Sequence, residues 1–219
     1  MKKVAIIVDG QFLMHRIKDA LNETKYPTAD EISLLLNDLA KNKDEEVYRI
    51  FFYQGEHSKQ KTEKPISKTE VEFKDSEIAK YSTELLATLS KKELMAVRVG
   101  DTRFRGWKLK KWVQNKFITS QFNEKLSDDH FTPEFQQKGV DIKIGLDVAW
   151  LASKRLVDRI ILVTGDSDFV PAIKFARREG LQVVILKIGP KKIHETLEIH
   201  SDFIREITNE DIKDKLRNS

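Results

Sequence analysis

The sequence predicts an α/β fold, a three-layer sandwich with a mainly parallel central sheet flanked by helices. Three observations carry this expectation. The strands expected at 4–8, 158–164 and 181–188 are centred on short apolar runs, Val4–Val8, Ile160–Val163 and Val183–Leu186, the character of strands buried on both faces. Segments with apolar residues at helical spacing alternate with them, which is the pattern of βαβ units. Acidic residues stand where strands run out, Asp9 after Val4–Val8 and Asp166 and Asp168 after Ile160-Ile161-Leu162-Val163-Thr164-Gly165. In open α/β sheets that edge is where ligands bind.

In chain order, Asp9-Gly10 breaks the first strand, and Phe12, Leu13, Ile17, Ala20 and Leu21 recur at helical spacing. Pro27-Thr28-Ala29-Asp30 reads as a turn and helix start, with Ile32, Leu35, Leu36 and Leu39 as the buried stripe of a second helix. Val47–Tyr53 is a strand. From Gly55 to Asp75 the chain is polar and rich in Lys and Glu, the composition of a long surface loop or lid. Ile78–Leu89 resumes a helix, and Leu94–Gly100 is a strand whose flanking charge suits a sheet edge. A helix covers about Ile142–Ser153, a buried strand Asp158–Thr164, a helix Phe169–Arg178 closed by Gly180, and a strand Leu181–Ile188. The charged tail from Glu198 to Leu216 reads as one or two exposed helices with Ile204, Ile207, Ile212 and Leu216 inward. No internal repeat is present.

A chain of 219 residues is long enough for one substantial core, so residues 1–190 are expected to form one domain with insertions, and 191–219 a helical extension. Lys and Arg number 39 against 35 Asp and Glu, and a net charge of +4 is too small by itself to name a partner. Absence of cysteine excludes disulfides and thiolate metal sites. The apolar run after Met1-Lys2-Lys3 is too short for a signal peptide, and no stretch approaches the roughly 20 residues needed to cross a bilayer. A cytoplasmic protein without membrane contact is the expectation.

Two readings of the acids stand side by side. Asp168 can cap the helix that follows, Asp166 can form the turn, Asp141 can cap the helix from Ile142, and Asp9 can open a turn with Gly10. Alternatively, carboxylates converging at a sheet edge repel unless a cation holds them together. On the second reading the chain is a metal-dependent enzyme.

Val8-Asp9-Gly10-Gln11-Phe12, Lys138-Gly139-Val140-Asp141 with Asp147, and Thr164-Gly165-Asp166-Ser167-Asp168-Phe169 followed by Pro171 resemble the NYN domain, the LabA-like branch of the PIN-like nucleases. The three blocks span roughly Lys3 to Gly189. This resemblance implies a PIN-like parallel sheet flanked by helices, a divalent-metal site made of aspartates, and action on RNA. Carried over by position, Asp9, Asp141, Asp166 and Asp168 form the catalytic and metal-binding centre, with Asp147 in support. Gln11 stands where the family pattern usually has Asn, and is one methylene longer. Gln11, Thr164, Ser167 and Lys138 are candidates for phosphate contacts, although the two hydroxyls equally suit backbone capping. The implied reaction is phosphodiester hydrolysis by water activated on Mg²⁺ or Mn²⁺, hard cations that prefer carboxylate oxygens.

The densest basic stretch is Arg103-Phe104-Arg105-Gly106-Trp107-Lys108-Leu109-Lys110-Lys111-Trp112, which holds two of the three tryptophans within a basic aromatic segment at 103–116. Single-stranded nucleic acid is gripped by cations along its backbone and by rings against its bases. Arg103, Arg105, Trp107, Lys108, Lys110, Lys111 and Trp112 are therefore candidates for binding RNA or DNA. An ordinary amphipathic helix with buried tryptophans is the plain alternative, although Gly106 fits a bend better. Two other functions compete with a ribonuclease. A non-catalytic RNA-binding or scaffold protein on the same fold would bind with steep salt dependence and cleave nothing. A haloacid-dehalogenase-like phosphatase also places Asp after its first strand, but needs a second Asp where Gln11 stands. Edge strands and the tryptophan-bearing segment leave room for a homodimer.

Overall fold

A computed structural model describes residues 1–22, 26–38 and 40–217. In chain order the elements are β1 (Lys2–Asp9), α1 (Gly10–Leu21), α2 (Ala29–Asp38), β2 (Glu45–Gly55), β3 (Lys61–Glu63), β4 (Glu70–Glu72), α3 (Glu77–Leu89), β5 (Met95–Leu109) and α4 (Lys111–Ile118). They continue with β6 (Phe131–Lys138), α5 (Val140–Ser153), β7 (Arg159–Val163), α6 (Val170–Arg178), β8 (Gln182–Ile188), α7 (Glu195–His200), β9 (Phe203–Ile207) and α8 (Asn209–Arg217). The chain makes two compact units. Met1–Gln54, Leu85–Val99 and Gly139–Ser219 form the first, and Gly55–Glu84 with Gly100–Lys138 the second.

The sheet of the first unit has the order β5-β2-β1-β7-β8-β9. The pairs β1–β2, β1–β7, β7–β8 and β8–β9 are all parallel. This is the expected α/β architecture, with a mainly parallel sheet flanked by helices. Val4 to Val8 are each fully buried, as a strand covered on both faces requires. On one face Ala5, Ile7, Ile160, Leu162, Val183 and Ile185 pack with Ile144, Val148 and Leu151 of α5 and Ile173 and Ala176 of α6. The chain leaves β1 toward β2 on one side, while β7 lies on the other and leads outward to β8. The carboxyl ends of β1 and β7 therefore flank a topological switch point.

Three sequence expectations change. The polar stretch after Gly55 is not a bare loop: β3 and β4 form an antiparallel hairpin in which Lys61 faces Glu72. Phe73, which follows β4, is buried. The tail is not wholly helical, because Phe203–Ile207 is a strand in register with Val184–Ile188 and so extends the sheet. Ile207 and Ile212 are buried there, whereas Ile204 is exposed. Arg103–Leu109 continues β5 as strand, and β6, a strand absent from the sequence expectations, pairs with it antiparallel. Leu39 lies outside the described residues. Among the described residues, no helix is long and apolar enough to cross a membrane.

In the second unit, Phe104, Trp107 and Phe135, each half-buried, cluster around the buried Phe73. Phe73 lies 4.9 Å from both Phe104 and Phe135, and Phe104 lies 5.6 Å from Trp107, ring centre to ring centre.

Candidate functional site

Asp9 and Asp166 sit where β1 and β7 run out, each with one carboxylate oxygen engaged by a backbone N–H. Asp9 is the N-cap of α1, its Oδ1 accepting the Phe12 N–H at 3.1 Å. Asp166 caps the short helical turn Ser167–Phe169 by accepting the Asp168 N–H at 2.9 Å. Thr164, buried beneath, accepts the Asp166 N–H at 3.1 Å through Oγ1, so its hydroxyl shapes the same turn. Asp141 lies in the first turn of α5, and both it and Asp168 are exposed. Asp147 is bound differently: its Oδ2 accepts the Tyr53 hydroxyl at 2.6 Å and the Arg98 Nε–H at 2.9 Å. Burial and this hydrogen bond push the Tyr53 phenol above its ordinary range.

Asp9, Asp141, Asp166 and Asp168 feel one another's charge. Burial raises the Asp9 carboxyl above the ordinary carboxylate range. The Phe12 and Gln11 N–H groups draw it back, and the charges of Asp166 and Asp141 raise it further. Asp141 is raised by burial and then by Asp166 and Asp168. Sharing a field is not ligation, however. Among the described residues no three His, Cys, Asp or Glu side chains come together in a way that could hold a metal ion. The expectations of a Mg²⁺ or Mn²⁺ cofactor, and with it a metal-dependent ribonuclease or phosphodiesterase, are overturned by that arrangement. Capping accounts for Asp9 and Asp166, and an ion pair accounts for Asp147. Gln11 and Ser167 stand in first turns, exposed and half-buried respectively. Lys138 ends β6 in register with Asp101.

A pH test follows from Asp9. Because its folded pKa is raised, its favourable contribution is complete below the unfolded value and is lost as pH rises through the folded value. Asn caps a helix as well as Asp does. Asp9→Asn is thus expected to melt at a higher temperature than wild type at pH 7, with the gap closing by about pH 3, where Asp9 is protonated in both states. Thermal unfolding at the two pH values checks this.

The basic segment is sorted by a bulge. Strand side chains alternate with period two, so Arg103 and Arg105 point one way and Phe104 the other. The β5–β6 register shifts between Phe104 and Gly106, and Gly106 adopts φ +128°, a conformation that disfavours any side chain. The extra residue resets the alternation. Trp107 then joins Phe104 on the packed face, its Nε1–H donating to the Glu63 carbonyl at 2.8 Å, and Lys108 joins the arginines outside. Trp107 is therefore half-buried against Phe73 and Phe104, with its indole N–H already engaged. Arg105 is held by Gln136 Oε1 and Lys108 lies 3.3 Å from Glu134. Arg103, Lys110 and Lys111 have no ion-pair partner among the described residues.

Lys110 is the N-cap residue of α4, which buries Val113 and turns Lys111, Trp112 and Lys116 outward. The Trp112 ring is 44% exposed, with the Lys116 ammonium 4.9 Å from its centre and the His130 ring edge-on at 5.5 Å. Lys116 stands four residues after Trp112 and so on the same helix face, a neighbour that the spacing alone indicates. Arg98 and Tyr53, which hold Asp147, gave no such signal.

The NYN domain family model matches residues 76–205, more than half of the chain. Over 76 residues the chain is 29% identical to the uncharacterized protein MJ0482 of Methanocaldococcus jannaschii, covering 35% of this chain and 32% of that protein. Over 57 residues it is 37% identical to the uncharacterized protein y4oD of Sinorhizobium fredii, covering 26% and 27%. The chain thus spans about a third or less of the length of these curated relatives. The crystal structure of a protein of unknown function, VPA0982 from Vibrio parahaemolyticus, is similar with a TM-score of 0.49 at 16% identity, over 94% of this chain and 93% of that one.

Proposed function

We propose that this chain, which belongs to the NYN domain family, binds single-stranded RNA without cleaving it, through the outer face of β5 and the start of α4. Family membership points to nucleic acid in general. The observation that carries the finer reading is the surface running from Arg103 to Lys116. Six cations, Arg103, Arg105, Lys108, Lys110, Lys111 and Lys116, stand in that stretch with no acidic residue among them. The bulge at Gly106 keeps Arg103, Arg105 and Lys108 outside, and Trp112 offers a half-exposed ring among the cations. Cations spaced along an extended strand follow a phosphate backbone, and a ring beside them accepts a base regardless of its identity. The acids at the sheet edge of the first unit repel a polyanion, so they form no part of this grip.

Binding of fluorescently labelled single-stranded RNA, followed by anisotropy at low salt with a DNA control, tests the reading. Trp112→Ala is expected to weaken binding by about 1–3 kcal/mol, roughly 5- to 150-fold. Asp166→Asn leaves affinity unchanged, and end-labelled RNA stays intact in Mg²⁺ with either protein. No binding at low salt, or equal binding by Trp112→Ala, refutes the proposal.

A further inference from the structure

Helix α5, Val-Asp-Ile-Lys-Ile-Gly-Leu-Asp-Val-Ala-Trp-Leu-Ala-Ser, is apolar nearly all round, a composition that belongs to helices covered on every side. Its inner face, Val140, Ile144, Val148, Leu151 and Ala152, is buried in the core of the first unit. Its outer face is not. Ile142, Leu146 and Trp150 recur every four residues and are 69%, 65% and 45% exposed. Residues four apart lie one above the other on a helix, so the three form one continuous stripe. Contiguous apolar surface of this kind marks an interaction site.

The order of residues along the stripe says what covers it. Leu146 is its midpoint, with Ile142 four residues before and Trp150 four after. Laid antiparallel on a second copy about a two-fold axis at Leu146, each Trp150 meets an Ile142 and Leu146 meets Leu146. The ends agree in charge as well. Asp141 stands exposed at the amino end, and Lys154 and Arg155 stand exposed just past the carboxyl end, so the antiparallel arrangement brings opposite charges together twice. Ala149 lies on the stripe, and Gly145, whose added Cβ would meet nothing within 4 Å, lies at its flank. Both allow the two helix axes to approach closely. A surface that matches itself under a two-fold rotation in both apolarity and charge is what an isologous interface requires. We infer that the chain forms a homodimer through antiparallel pairing of α5 with α5 of a second copy.

The full chain in sedimentation-velocity analysis at tens of micromolar is expected to be a dimer. Leu146→Asp removes no core contact, because Leu146 faces outward, and is expected to raise the dimer dissociation constant by about 30-fold or more. Asp141→Lys raises it by about tenfold, and Lys154→Asp in the same chain restores it. The chain contains no cysteine, so Leu146→Cys supplies a lone thiol that a two-fold axis at this position joins to its copy on mild oxidation. Ile199→Cys, equally exposed on α7, serves as the control that stays unlinked. A monomer at every concentration with no crosslink through Leu146→Cys overturns the proposal and leaves the stripe to a different protein. A dimer indifferent to Leu146→Asp overturns it as well.

Discussion

Glu45→Ala is expected to destabilise the fold by roughly 3–5 kcal/mol, the largest effect of any single change considered. Glu45 opens β2 with its side chain wholly buried at the amino edge of the sheet. Its Oε1 accepts from Arg159 at the start of β7 and from Arg205 of β9 at 2.9 Å. Its Oε2 accepts from Arg205 at 3.0 Å and from the Asn42 N–H at 2.6 Å. Arg159 also donates to Gln182, the first residue of β8, at 2.7 Å, and Gln182 accepts from Lys2 of β1 at 2.8 Å. One carboxylate thus gathers the amino ends of strands that are far apart in sequence. Removing it leaves two guanidiniums nearly out of water with no counter-charge, which costs far more than the intact cluster contributes. For a chain of this size the melting temperature falls by on the order of 10 °C. Replacing Glu45, Arg159 and Arg205 together by apolar residues of similar volume is expected to restore most of the loss, because no charge is then stranded. Burial alone would raise the Glu45 carboxyl. Hydrogen bonds from Arg205, the Asn42 N–H and Arg159 outweigh burial and hold it below its ordinary value. Its contribution is therefore complete above the unfolded pKa and is lost as pH falls through the folded one. Chemical denaturation of wild type and Glu45→Ala should show the gap narrowing in that acid range.

None of this cluster was legible in the sequence, because Glu45, Arg159 and Arg205 look like ordinary surface charges until the sheet order is known. What could be read was the scaffold. The first strand, the strand after α5 and the strand after α6 each carry an unbroken apolar centre, Val4–Val8, Ile160–Val163 and Val183–Leu186, which two-sided burial explains. Elements that were missed lack that signal. The strands of the β3–β4 hairpin are three residues each and mostly charged. β6 contains Pro133, which argues against a central strand. β9 leaves Phe203 and Ile204 exposed, so its pattern does not resemble the strands it joins.

At the candidate site the positions of the acids were legible and their work was not. Asp9 and Asp166 stand at strand ends in either reading. The structure turns one oxygen of each toward a backbone N–H, and among the described residues no group of three His, Cys, Asp or Glu side chains comes together to hold a metal. The two tryptophans of the basic segment differ because the bulge just before Trp107 turns that ring toward Phe104, whereas Trp112 lies beyond the strand on α4. Gly106 was the visible trace of the bulge, yet a glycine alone does not say that parity resets, and so Trp107 and Trp112 looked alike in the sequence.

Removing the charges of Arg103, Arg105, Lys108, Lys110 and Lys111 together is expected to abolish most of the salt dependence of RNA binding. Each phosphate neutralised on a single strand contributes about 0.7 to the slope of log affinity against log salt. These five contacts contribute about −3.5 to the wild-type slope, which by itself lowers affinity on the order of 100-fold between 50 and 200 mM salt. The five-alanine variant should bind weakly at 50 mM and change little up to 200 mM. Arg105 and Lys108 are held by Gln136 and Glu134 on the neighbouring strand. Their single substitutions should therefore cost less than that of Arg103 or Lys111, which have no such partner to give up. Four exposed side chains and the half-buried Lys110 can be changed without touching the Phe73–Phe104–Trp107 packing, so an unaltered melting temperature separates lost binding from lost structure. An unchanged slope in the variant would place the polyanion elsewhere on the chain. A flattened slope with Trp112-dependent affinity persisting would mean that charge draws the strand in and the ring holds it.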